Sequence, residues 1–431
     1  DAVMDKENVQ PQSMSTIKFL FIMDPIENII PLKDTTYILM LEAESRGHEI
    51  YYALQNDLTI KDNKANIKKL SKVEMIIPER VGTNNNVCKI LENINNVDLD
   101  YFDVIFMRKD PPVDDDYIKS TYLLDMVKDK VLVVNDPTAL RSYNEKLSTL
   151  RFENIIPNSI VCKGDDLDTI EDWASSFKSG IVIKPLNLCG GQGVIKFNGQ
   201  NISTLKLNPD ENYILQEFID KVIEGDKRII ILNGAPIGAI LRMPKDGDFI
   251  CNFHSGGTPH KTNINSQDLL ICSEIKNFLI DNNIYLAGID VVGGLLTEIN
   301  ITSPTCIQEI NRANGTKLEK NVLDFIIHKV DKGWIMSSDR ELVNKISKLS
   351  RLKIDESDID IFVKNFKDIL EYIDLLSSVD TNSEKTQDTI QKDYAVRDDT
   401  TIDKLSNDEV LLNAPNKEGK FFAVKKVIES E

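Results

Sequence analysis

Lys184 closes the apolar run Ile181-Val182-Ile183, and Gly190-Gly191-Gln192-Gly193 follows shortly after. A lysine at the end of a buried strand is costly unless it meets an anion, and nearby glycines let backbone N–H groups approach phosphate oxygens. Together they point to a nucleoside triphosphate. The lysine precedes the glycines, so this is not a Walker A loop, and the G-G-x-G spacing is not a dinucleotide fingerprint. An ordinary glycine turn beside a solvated lysine is the competing reading.

A second constellation runs from Gly288 to Asn300 and reads as a hairpin around Gly293-Gly294. Glu298 and Asn300 share a strand face by period two, and a carboxylate with an amide oxygen suits magnesium whose shell is completed by phosphates. Asp290 is the test. Across a two-residue turn it falls opposite Thr297, on the wrong face, whereas a three-residue loop or a bulge sets it against Glu298. The spacing predicts the longer loop or a bulge; a hairpin with exposed polar residues is the alternative. Arg228 and Arg242 lie at strand ends, where guanidinium groups could stabilise a transferring phosphoryl group, and Arg108 follows a strand where it could bind a small acid. Taken alone, Arg228 and Arg242 read more simply as surface ion pairs, and Arg108 as part of a bland loop. Cys306 reads as a buried structural thiol, since none of the four histidines is near it in sequence.

The elements that must position these residues are α/β in type. An apolar run at 17–23, a helical pattern at 35–46 stopped by Gly47, a strand at 49–54 and further strands at 104–107 and 131–134 favour a parallel sheet over residues 17–143. A helix around 144–152 opens a second, strand-rich domain over 144–331, closed by a helix at 318–330. From Ser337 the chain turns helical and charged. Ser338 and Glu341 fit a capping box, a second amphipathic helix runs from Asp355 to Leu376, and residues 380–403 are aperiodic.

In 431 residues, 51 Lys plus Arg face 69 Asp plus Glu, a formal charge of -18, which disfavours a broad nucleic-acid-binding face. The apolar runs are too short for a membrane span. The six cysteines form no C-x-x-C pair, which reads as reduced thiols and a cytoplasmic chain. Residues 1–16 read as a disordered leader.

Met23-Asp24-Pro25, Met107-Arg108-Lys109-Asp110-Pro111-Pro112, Asn144-Glu145-Lys146-Leu147, Lys184-Pro185-Leu186, Gly225-Asp226-Lys227-Arg228 and the stretch from Thr297 through Ser303-Pro304-Thr305-Cys306 resemble bacterial glutathione synthetase over residues 17–330. The resemblance implies an α/β substrate domain followed by an ATP-grasp fold, a homo-oligomer, and ligation of γ-glutamylcysteine to glycine through an acyl phosphate. It implies that Lys146 and Lys184 contact ATP phosphates, that Gly190, Gly191 and Gly193 cover them, and that Gln216, Glu217, Phe218 and Ile219 line the adenine. It further implies that Asp290, Glu298 and Asn300 hold Mg2+, or Mn2+ in its place. Arg228 and Arg242 would meet the transferred phosphate, and Arg108, Ser303 and Thr305 the substrate. One departure concerns residues 245–260, which contain no arginine where the family carries one among glycines.

Residues 337–431 resemble a different family. Ser350-Arg351-Leu352, Ile369-Leu370-Glu371-Tyr372-Ile373, Val396-Arg397-Asp398-Asp399, Leu412-Asn413-Ala414-Pro415 and Phe421-Phe422-Ala423-Val424 look like the C subunit of aspartyl/glutamyl-tRNA amidotransferase, with Lys425 where that family has proline. This resemblance implies a non-catalytic helical pair and extended strap gripping a glutaminase subunit and a kinase-like subunit. The alternative whole-chain function is thus an assembly subunit for tRNA-dependent transamidation with a weak or inactive ligase domain.

Overall fold

The computed structural model describes residues 16–81, 86–245 and 247–331, together with 347, 359, 361–362, 365, 406–412, 414 and 416–423. The chain divides into two compact units, residues 1–341 and 342–431.

In the first unit, β1 (Lys18–Met23) is buried along nearly its whole length, as an unbroken apolar run requires of a central parallel strand. β2 (Glu49–Leu54) and β6 (Val104–Met107) flank it in parallel, and β7 (Leu132–Val134) continues beyond β6. Between β1 and β2, α1 (Thr35–Ser45) is capped by the Asp34 carboxylate accepting from the Tyr37 N–H. The sheet is not wholly parallel, contrary to expectation. β3 (Leu58–Lys61), β4 (Lys64–Met75) and β5 (Cys88–Asp98) add an antiparallel ribbon on the β2 side. The helix expected around 144–152 is instead a short 3₁₀ turn, Leu147–Arg151.

A second sheet has the order β10-β9-β11-β8, from β8 (Ser159–Lys163), β9 (Ile181–Pro185), β10 (Ile195–Phe197) and β11 (Asn212–Glu217). The third has the order β14-β13-β12-β15-β16, from β12 (Asp226–Leu232), β13 (Ala235–Met243), β14 (Thr258–Lys261), β15 (Leu286–Val292) and β16 (Leu295–Asn300). The first and third sheets share their cores: Leu20 and Ile105 pack in one cluster with Ile229 and Ile289, and Phe21 in another with Ile230 and Ile310. The second sheet keeps a core of its own, where Ile170 and Ala174 of α4 (Leu167–Ser175) meet Ile183 and Leu215. A smaller apolar cluster joins it to the third sheet, where Val182 of β9 packs with Phe218, Cys251 and Val292 of β15.

In the second unit, Ser406 and Glu409 form a capping box on the short helix Asn407–Val410, and Lys417–Glu418 pairs with Phe421–Phe422. Most of the expected helical pair and strap lie outside the described residues, as does the leader through residue 15. No helix among the described residues is long and apolar enough to cross a membrane.

Candidate active site

The third sheet gathers its charges on one face by register alone. On β12, Asp226 and Arg228 are two residues apart and share a face. Arg242 of β13 stands directly across from Asp226, and Asp290 of β15 directly across from Arg228. Glu298 of β16 stands across from Asp290 because the pairing shifts at a bulge, and Thr297 is the extra residue. The turn itself is only Gly293-Gly294, with φ of 56° and 82°, left-handed values that glycine adopts freely. The expected bulge is therefore present, and Asp290 meets Glu298.

Asp290 is buried. Its Oδ1 accepts from Arg228 Nε at 2.5 Å and its Oδ2 from Arg228 Nη2 at 2.9 Å, while Arg242 Nη2 lies 3.0 Å from Oδ2 as an ion pair. Arg242 also donates to Asp226 Oδ2. Burial alone would raise the Asp290 pKa, but the two arginines hold it well below the usual carboxylate range. Asp226 goes the other way, pushed up to about 6 by burial against the pull of Arg242.

Opposite this face lies β9. Lys184 Nζ is 3.9 Å from Glu298 Oε1. Between them opens a cleft of about 700 Å³. Gln216, Glu217, Phe218 and Ile219 form one wall, with the Gln216 amide fixed by donation to Ser159 Oγ at 3.1 Å. Lys184, Gly191, Asp290 and Glu298 face the same space. So do Asp226, which sequence reasoning missed, and the segment Phe249 to Asn252, part of the arginine-free stretch 245–260. The signal for Asp226 was available, since period two puts it on the face of Arg228.

Lys146 stands outside the cleft wall. Its Nζ donates to the Glu145 carboxylate and, at 2.7 Å, to the Leu188 carbonyl, so it pins the start of the glycine-rich loop. Gly190, Gly193 and Asn300 also lie outside the wall, although the Asn300 amide N–H is used on the Gly288 carbonyl at 3.1 Å, leaving its oxygen free to ligate.

The resemblance places Arg108 at the substrate. It is buried, and its guanidinium donates to Thr36 Oγ1 at 3.0 Å and to the Pro304 carbonyl at 2.9 Å. These bonds brace the Ser303 to Thr305 segment against α1. Arg228 and Arg242 are likewise buried ion pairs and not exposed strand ends. Cys306 is a buried thiol, as expected.

The described residues contain no cluster of three or more His, Cys, Asp or Glu able to enclose a metal ion. Two carboxylates and an amide oxygen form a hard but incomplete shell. That fits Mg2+, which arrives with phosphate oxygens and water and needs few protein ligands.

Residues 17–141 match the family model for the prokaryotic glutathione synthetase N-terminal domain, residues 145–315 that for its ATP-grasp domain, and residues 354–424 that for the Glu-tRNAGln amidotransferase C subunit. The glutathione synthetase of Nostoc sp. strain PCC 7120 is 37% identical over 320 residues, 72% of this chain and 98% of that protein. That of Buchnera aphidicola subsp. Baizongia pistaciae is 36% identical over 318 residues, covering 72% and 95%. The crystal structure of a D-cycloserine synthetase shares the fold at a TM-score of 0.51 and 12% identity, covering 73% of this chain and 99% of that one.

Proposed function

The chain belongs to the prokaryotic glutathione synthetase family, an ATP-dependent ligase with an ATP-grasp domain, and from that membership we propose that residues 17–331 join γ-glutamylcysteine to glycine through an acyl phosphate. The observation that carries this reading is the alignment of Asp290 with Glu298, facing Lys184 across the cleft.

Lys184 binds the outer phosphates of ATP, and Lys146 joins it by leaving Glu145. The backbone of Gly190 to Gly193 covers them, while residues 216–219 take the base. Asp290, Glu298 and the Asn300 oxygen would hold Mg2+, or Mn2+ in its place, which would neutralise phosphate charge when bound. The peptide carboxylate attacks the γ-phosphoryl group and ADP departs. The glycine amine then attacks the acyl carbon, releasing phosphate. Arg228 and Arg242 supply fixed positive charge for the transferred group. Ser303 and Thr305, braced by Arg108, face the substrate. Residues 249–252 close over the cleft and keep water from the acyl phosphate.

Residues 337–431 are, in this reading, a fused clamp for a glutaminase subunit and a kinase-like subunit. The match at 354–424 supports that role. Residence in the cytoplasm and self-association belong to the same proposal.

ADP release by the full chain tests the ligase. It should require both γ-glutamylcysteine and glycine, and Glu298→Ala should slow it roughly 100-fold or more, the scale of one lost electrostatic contact to a transferring group. Equal ADP release without the dipeptide would exclude this chemistry.

A further inference from the structure

The two arginines of the charged sheet face are tied differently. Arg228 has a single carboxylate partner, Asp290, and grips it with two nitrogens. Arg242 has two: its Nη2 is shared between Asp290 Oδ2, 3.0 Å away, and Asp226 Oδ2. The arrangement on the Asp226 side is unfinished. Asp226 Oδ1 and Arg242 Nε are both buried and both without a hydrogen-bond partner among the described residues. Asp226 stands directly across the strand pair from Arg242 and forms part of the cleft wall.

A divalent cation and a guanidinium compete for the same lone pairs. A carboxylate offers about four acceptor positions, and on Asp290 three contacts from the arginines already fill most of them. Both contacts on Oδ2 come from guanidinium nitrogens, so a cation that takes Oδ2, or both oxygens, of Asp290 must displace one of them. Displacing Arg228 strands a buried positive charge, because it has no second carboxylate. Displacing Arg242 does not, because Asp226 has a free oxygen and Arg242 a free Nε with which to complete a two-point pair. Turning toward Asp226 satisfies both orphaned atoms at once.

We propose that Asp226 is a positioning residue that acts through Arg242: it draws this guanidinium off Asp290, leaving Asp290 to the cation and Arg242 fixed beside the cleft. The inference rests on Asp290 being a metal ligand.

A double-mutant cycle on Mn2+ affinity tests it, using Mn2+ alone with the full-length chain and reading free ion by electron paramagnetic resonance. Glu298→Ala supplies the background from the acidic surface. Asp226→Asn should weaken the specific site about tenfold, and in an Arg242→Met background the same substitution should change it less than about twofold, the non-additivity expected within one ion-pair network. Equal losses in both backgrounds would mean that Asp226 acts as a direct ligand or a bare local charge, and would overturn the inference alone. A wild type indistinguishable from Glu298→Ala would remove the metal reading and the inference with it. Should Arg242→Met fail to fold, Arg242→Lys serves: a single ammonium makes no two-point pair, so the Asp226→Asn effect should again shrink, and an undiminished effect would count against the proposal.

Discussion

Burial decides what a titratable side chain can do in this protein, and His48 shows it away from the cleft. Its Nδ1 accepts the Ile17 N–H at 3.3 Å, its ring lies 5.5 Å from that of Phe19, and its Nε2 is buried without a hydrogen-bond partner among the described residues. Burial, and next the charge of Arg46, hold its pKa below the ordinary value. The unfolded chain therefore takes up the proton first as pH falls through about 6.5, so stability tied to neutral His48 is full above that pH and lost below it. His48→Phe should narrow its stability deficit against the wild type between pH 7.5 and 5.5, measured by urea unfolding; a constant gap would assign His48 no such role. The same logic governed what the sequence disclosed about the site. Residue type and period exposed Lys184, Glu298 and Asp290. Whether Arg108 faced solvent or a carbonyl depended on Pro304, nearly two hundred residues away, and no local pattern carries that information.

At the scale of elements, strands with one unbroken apolar face were readable and the β4–β5 ribbon was not. β4 mixes lysines into its exposed positions without strict alternation, and β5 carries Asn93, Asn95 and Asn96 on a largely exposed edge, a composition that favours loops. α5 (Ser266–Asp281) was hidden for another reason: Leu269 and Leu270 are exposed beside buried Ile271 and Cys272, which blurs its stripe. The contact between the glycine-rich loop and the segment after β13 was equally invisible, since it joins distant stretches. Gly191 has φ of 81°, and a Cβ there would sit 2.8 Å from Ile250 Cγ2 and 3.1 Å from Asn252 Nδ2. Gly191→Ala should therefore push the covering segment outward and raise KM for ATP by about tenfold, a cost of about 1.4 kcal/mol. Gly247 is the control, because its φ is 80° but a Cβ would meet nothing within 4 Å. Gly247→Ala carries similar backbone strain of roughly 1–2 kcal/mol and should leave KM near the wild-type value. Matching KM values for the two variants would mean that strain, not the loop contact, matters.

For the molecule as a whole, the question is whether the two matched families act as one machine. Among the described residues, the last contributors to the two large cores of the first unit are Ile301 in one and Val330 in the other. The residues lining the cleft end at Glu298, and Ser303 and Thr305, proposed to face the substrate, follow within the same unit. The chemistry thus has its walls, ligands and supporting core inside residues 1–341, the first compact unit. Transamidation of tRNA and peptide ligation share no substrate, so nothing in the chemistry calls for coupling. A chain ending at Glu341 should keep its thermal midpoint, and keep its γ-glutamylcysteine-dependent ADP release within about twofold of the full chain, since residues 1–341 form a compact unit of their own. A glutaminase and a kinase-like subunit of the amidotransferase type should be retained by the full chain in mild salt and lost by the truncated one. Loss of ligase activity on truncation would show that the second unit stabilises or gates the first, and the fusion would then be a functional device instead of two proteins on one chain.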